Sequence, residues 1–180
     1  MTLVELYRKG GSKKYPTDKE ESHNYLSFYD GLFLSFKNKK INIFEIGYLH
    51  GGSCKLWEDY FPKASIRAID ITNKYWDEYH PKLNRAKLKI KDARDLTEEY
   101  FSNFPPDIII DDGSHLIEDW LFVIPILYKV LRPGGVLIIE DLHAIDEHKE
   151  LFEALGIPFE VIDLRPVNNR WDNVLLLYRK

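Results

Sequence analysis

Apolar positions along this chain follow two different periods. Tyr25, Phe28, Tyr29, Leu32, Phe33 and Phe36 recur at helical spacing, one stripe of an amphipathic helix. Ser22 is placed to cap its start, and the lysines from Lys37 to Lys40 suit its negative end. From Ile41 onward short apolar runs alternate with helical patterns. The predicted strands are Ile41–Gly47, Ser65–Ile71, Lys87–Ile90, Asp107–Asp111 and Gly135–Glu140, with helices over 52–60, 95–103, 115–131 and 145–155. In the longest helix Ile117, Trp120, Leu121, Ile124, Leu127, Tyr128 and Leu131 share one face, and Pro125 should bend it. Alternation of this kind predicts right-handed βαβ units and a parallel sheet with helices on both faces. The chain ends differently, with Phe159–Leu164 and Val174–Tyr178 flanking a turn region and reading as an antiparallel pair.

No internal repeat or low-complexity tract is visible, and residues 1–22 are polar with no readable period. The chain therefore divides into an N-terminal helical segment, 1–40, available as a lid, and an α/β domain, 41–180. His23, Tyr25 and Tyr29 belong either to that lid or to core packing, and periodicity favours the core. Lys87, Lys89 and Lys91 alternate with Leu88 and Ile90, which is either a basic patch or a lysine-protected edge strand.

Composition narrows the function classes. A length of 180 residues fits one domain with a real core, and 44% hydrophobic with 30% charged residues is ordinary for a globular protein. A net charge of -4 argues against a nucleic-acid partner. One cysteine, Cys54, cannot form an internal disulfide, and no leader or membrane-length apolar run is present, so the expected location is cytoplasmic, without membrane contact.

Chemistry concentrates at the strand ends. Ile108–Ile110 runs into Asp111-Asp112-Gly113-Ser114-His115, and Val136–Ile139 runs into Glu140-Asp141-Leu142-His143. On neighbouring parallel strands these carboxylates meet at one sheet edge, where they repel unless a cation sits among them. Oxygen donors of this kind favour Mg²⁺ or a similar ion. Phe44-Glu45-Ile46-Gly47, followed by Gly51-Gly52-Ser53, forms a glycine turn between the first strand and a helix. Such a turn lets backbone approach a ligand, although the G-x-G-x-x-G dinucleotide spacing is absent. Asp70 closes the second strand, about twenty residues on, where an acidic side chain takes ribose hydroxyls. Asp92-Ala93 follows the third strand, in position for an adenine amino group. Together the three features predict a nucleoside cofactor.

Glu45-x-Gly47 with Gly51-Gly52-Ser53, Asp70, Asp92, Asp112-Gly113-Ser114-His115, Leu131-Arg132-Pro133-Gly134-Gly135 and Glu140-Asp141 resembles the class I S-adenosylmethionine-dependent methyltransferases. More narrowly, it resembles the metal-dependent macrolide sugar O-methyltransferases and their cephalosporin-hydroxylase-like relatives. The resemblance implies a Rossmann-like, doubly wound seven-stranded sheet, order 3-2-1-4-5-7-6, with the last strand antiparallel. It also implies that Glu45, Gly47, Gly51, Gly52 and Ser53 hold the methionine part of S-adenosylmethionine, Asp70 the ribose, and Asp92 with Ala93 the adenine. Asp111 falls on the cofactor side. Asp112, Glu140 and Asp141 would bind Mg²⁺ or Mn²⁺, and His115 would be the general base, with His143 a second candidate. The register between Asp111 and Asp112 stays open by one residue.

The expected reaction is metal-assisted O-methylation of a hydroxyl, on a sugar of a glycan or secondary metabolite. Catechol-type methylation and a non-catalytic cofactor-binding protein of the same fold are the alternatives. His50 serves either the cofactor or its own loop. Arg165, Arg170 and Trp171 serve either the acceptor or an ordinary hairpin loop. With few residues before the first strand, a second copy of the chain would complete the acceptor pocket, which makes a homo-oligomer an expectation.

Overall fold

The computed structural model describes residues 1–75 and 80–180. Helix α1, Leu3–Lys14, starts at a reciprocal cap: the Thr2 side chain accepts from the Glu5 amide and the Glu5 side chain from the Thr2 amide. Helix α2, Tyr25–Phe33, realises the aromatic stripe. The remainder runs β1 (Asn42–Ile46), α3 (Gly52–Tyr60), β2 (Ser65–Asp70), β3 (Lys87–Ile90), β4 (Ile108–Asp111), α4 (Ile117–Val130), β5 (Val136–Ile139), α5 (Ile145–Glu153), β6 (Phe159–Asp163), the short α6 (Arg165–Asn168) and β7 (Val174–Arg179).

The seven strands form one sheet in the order β3-β2-β1-β4-β5-β7-β6, and β7 is antiparallel to both of its neighbours. This is the expected sheet, and β3 with its lysines lies at an edge. The expected helix over 95–103 is instead a pair of 3₁₀ turns, Ala93–Asp95 and Glu98–Phe101. The Asp92 side chain accepts from the Arg94 amide and Thr97 from the Tyr100 amide. Two capping residues so close together restart the chain before an α-helix can propagate. The polar start of the chain, unreadable by period, becomes helical through its caps rather than through a long apolar face.

Side chains alternate across each strand, so each strand feeds two apolar layers. Ile43, Ile108, Ile110, Val136, Ile138, Leu175 and Leu177 pack with residues of α1, α2 and α3, including Leu6, Tyr29 and Trp57. Phe44, Ile109, Leu137, Ile139, Leu176 and Tyr178 pack on the other face with Trp120, Ile124 and Phe152 of α4 and α5. Residues 1–40 thus share a core with the sheet. Among the described residues, no helix is long and apolar enough to cross a membrane.

The same alternation decides where the acidic strand ends point. Counting two residues on from Ile43, Ile110 and Ile138 places Glu45, Asp112 and Glu140 on the face covered by α1 and α2. The site is built there.

Candidate active site

At the carboxyl edge of β1, β2 and β4 lies a cavity of about 520 Å³, within the ordinary range for a small-molecule site. Gly47, Ser53, Asp70, Asp92, Ala93 and Asp111 all contribute to its wall, and Asp112, Asp141 and His115 line it as well. The segment between α1 and α2 closes one side through Pro16, Thr17 and Asp18. Glu45, Gly51, Gly52, Glu140 and His143 do not line it.

Two glycines shape this cavity by close approach. Gly47 has φ of +83°, and a Cβ there would stand 1.9 Å from the Asp112 carbonyl oxygen. A Cβ on Gly52 would meet the Pro16 carbonyl oxygen at 2.1 Å. The glycine turn therefore packs the β4 end and the 16–24 segment against the start of α3. Asp70 organises the loop: its Oδ2 accepts the amides of Tyr48 at 3.1 Å and Leu49 at 3.0 Å, and its Oδ1 accepts that of Thr72 at 3.2 Å. A carboxylate offers about four lone-pair sites, which leaves room for a ribose hydroxyl. Glu45 lies beneath the cavity, wholly buried, and accepts the Cys54 thiol at 3.2 Å. Burial raises the Glu45 carboxyl, partly offset by the charge of Lys19.

The acidic cluster is filled from within the chain. Lys19, wholly buried, donates from Nζ to Asp112 Oδ2 at 2.6 Å and also to Glu140 Oε2. Tyr29 donates its hydroxyl to the other Glu140 oxygen, Oε1, and Tyr25 donates to Asp141 Oδ1 at 2.6 Å. His23 Nδ1 lies 3.3 Å from the same Asp141 oxygen. Burial alone would depress the Lys19 ammonium, yet the Asp112, Glu140 and Glu45 charges hold it well above its ordinary range. Burial is also the largest influence on Glu140 and Asp141, and both carboxyls are raised. Asp111, fully enclosed, is pushed up to about 7, again chiefly by burial.

The positive charge seated between Asp112 and Glu140 is the Lys19 ammonium, a side chain that sequence reasoning passed over. Nothing in the polar run Thr17-Asp18-Lys19-Glu20 distinguishes Lys19 from a surface lysine. Tyr25 and Tyr29 did carry a signal. Both are core residues of α2, yet in a stripe otherwise made of Phe and Leu they bring hydroxyls to buried acceptors. Carboxylate oxygens of this kind are the donors a hard divalent ion takes. Among the described residues, Asp112, His115 and Asp141 also bring one ligand atom each within 4.8 Å of the others.

His115 Nε2 lies 3.9 Å from Asp112 Oδ1, and its ring meets the Trp120 edge at 6.3 Å. The backbone of both His115 and Asp141 is left-handed, with φ of +57°. Non-glycine residues held there are strained and mark sites where side-chain direction is imposed by the surroundings. At Asp141 this turn breaks strand alternation and carries the carboxylate towards Tyr25 on the α2 side. His143 is set apart, its ring between Trp120 at 6.0 Å and Trp171 at 5.9 Å. Arg165 is held by Asp163 and Asp146, and Arg170 by Asp172, while Trp171 is exposed.

No family model matches the chain. It is 34% identical over 142 residues to demethylmacrocin O-methyltransferase of Streptomyces fradiae, an alignment covering 73% of this chain and 35% of that one. It is 31% identical over 128 residues to mycinamicin VI 2''-O-methyltransferase of Micromonospora griseorubida, covering 67% of this chain and 32% of the relative. In three dimensions it superposes on the MycE methyltransferase, solved in complex with Mg, SAH and mycinamycin VI. The TM-score is 0.72 at 24% identity, covering 100% of this chain and 54% of that one. The chain shares the seven-stranded fold of that methyltransferase. It spans about a third of the length of the curated relatives it matches. Within this domain the cavity and the acidic cluster share a wall at Asp112 and Asp141.

Proposed function

We propose that the domain transfers a methyl group from S-adenosylmethionine to a hydroxyl of a sugar on a secondary metabolite or glycan, with Mg²⁺ or Mn²⁺ at the acidic cluster. One observation carries this reading: a cavity whose wall includes Asp70 and Asp92 at successive strand ends also opens onto Asp112, Asp141 and His115. The sugar O-methyltransferase relatives, and the structural neighbour solved with Mg and SAH, support it.

In this reading Gly47 and Ser53 border the methionine part of the cofactor, Asp70 takes ribose hydroxyls, and Asp92 with Ala93 borders the adenine. Glu45, Gly51 and Gly52 support that wall from behind. Asp112, Glu140 and Asp141 hold the metal. The cofactor would supply an electrophilic sulfonium methyl, and the metal would lower the pKa of the acceptor hydroxyl and fix its direction. His115, partly exposed at the rim and beside Asp112, takes the hydroxyl proton at Nε2. Its strained backbone keeps that nitrogen directed over the acidic cluster. His143 lines an aromatic rim outside the cavity rather than the proton path. Cys54 is a buried free thiol, in keeping with a reducing, cytoplasmic setting.

An acceptor screen tests this reading. Methyl-labelled S-adenosylmethionine is offered with glycosides bearing vicinal diols and, separately, with catechols, in Mg²⁺ and in chelator. Label on a glycoside hydroxyl only when Mg²⁺ is present is expected. Preference for catechols selects catechol-type methylation, and no transfer to any hydroxyl acceptor removes the proposal.

A further inference from the structure

Lys19 needs a reason to be where it is. It comes from the irregular segment between α1 and α2, crosses into the core, and is the only lysine among the described residues that is fully buried. It bridges Asp112, one residue past β4, to Glu140, one residue past β5. Those two residues face the same side of the sheet because both strands keep the same two-residue alternation. Tyr29 takes the remaining Glu140 oxygen, and Tyr25 takes Asp141. Glu140, almost wholly buried, meets the Lys19 and Tyr29 donors in place of bulk water. A divalent ion between Asp112 and Glu140 would contest the oxygens that Lys19 now holds. Two cations that close, out of reach of solvent screening, repel strongly.

We propose that Lys19 is a tethered counter-cation that holds the acidic cluster assembled without metal and leaves Asp112 and Glu140 when a divalent ion binds. This rests on the reading of Asp112, Glu140 and Asp141 as metal ligands. The chain thereby avoids the cost of several buried, mutually repelling carboxylates in the metal-free state. The same arrangement sets a ceiling on metal affinity, because every binding event breaks two charge-assisted hydrogen bonds. The segment bearing Lys19 also contributes Thr17 and Asp18 to the cofactor cavity, so displacement of the lysine moves a residue anchored beside that wall.

The test is Mn²⁺ binding, followed by the paramagnetic resonance of the free ion, in the wild type and in Lys19→Met. Methionine keeps an unbranched chain and removes the charge. The variant is expected to bind Mn²⁺ at least about tenfold tighter than the wild type; binding by the variant alone is the same result at its limit. Equal or weaker binding by the variant, with the wild type binding, overturns the role of Lys19 and leaves the metal ligands standing. No binding by either protein overturns both. If Lys19→Met does not fold, amine acetylation of the wild type read by mass spectrometry decides. Lys19 is expected to be protected without metal and modified at saturating Mn²⁺. Continued protection in protein that demonstrably holds Mn²⁺ overturns the proposal.

Discussion

Removing one oxygen atom, in Tyr29→Phe, isolates the contribution of α2 to the acidic cluster. The Tyr29 ring stacks on Phe33 with centroids 4.8 Å apart and meets Trp57 edge-on at 5.9 Å. Phenylalanine keeps those contacts and opens no large void. What is lost is the hydroxyl that donates to Glu140 Oε1, a bond enclosed on all sides. Leaving a buried acceptor without its donor costs about 1–3 kcal/mol. In a chain of this size each kcal/mol lowers Tm by about 2–4 °C, so a fall of about 2–12 °C is expected. Urea unfolding at fixed pH gives the free energy, and a thermal melt gives the shift. Tyr178→Phe is the control: Tyr178 is equally buried, but its hydroxyl has no hydrogen-bond partner among the described residues. The same chemical change there should be neutral or stabilising. A loss under about 0.5 kcal/mol in Tyr29→Phe, or equal losses in both variants, would refute the argument that α2 is bonded to the site.

Three further outcomes are expected. Gly52→Ala should cost about 1–3 kcal/mol through overpacking against the Pro16 carbonyl, and should weaken cofactor binding because Pro16 lines the cavity; denaturation and a cofactor titration on one preparation check both. Burial of Glu58 would raise its carboxyl, but the amides of Ala86, Arg85 and Asn84, with Lys55, hold it below the ordinary value of 4.5. Its contribution to stability is therefore present above pH 4.5 and lost as pH falls through the lower folded value, so Glu58→Gln should lower stability at pH 7 and flatten its decline below 4.5 in acid unfolding. His115→Ala should cut turnover by about 10²-fold or more while cofactor affinity stays nearly unchanged, and equal losses in both would make His115 structural.

The sheet was legible because its signals are local and redundant: β-prone runs such as Ile108–Ile110 and Val136–Ile139 end in the acidic residues that share one edge. Residues tied to strand ends line the cavity, so Asp70 and Asp92 were legible by position, while Asp111 and Asp112, which both line it, could not be told apart by register. Lys19 was not legible, because its burial is set by a turn segment delivering it across the sheet edge, a long-range fact with no local period. Glu45, Gly51 and Gly52 do not line the cavity: Glu45 is wholly buried against Cys54, and Gly52 serves the Pro16 contact. The 3₁₀ turns after β3 were missed because helical spacing outvoted the closely spaced caps at Asp92 and Thr97.

The most direct measurement is a calorimetric titration of S-adenosylhomocysteine into the wild type and into Asp70→Asn. The wild type should show one saturable site in the micromolar range or tighter, and the variant should bind about tenfold more weakly because the ribose loses a charged acceptor. No saturable heat from the wild type, or unchanged affinity in the variant, would contradict the assignment of the cavity to the cofactor.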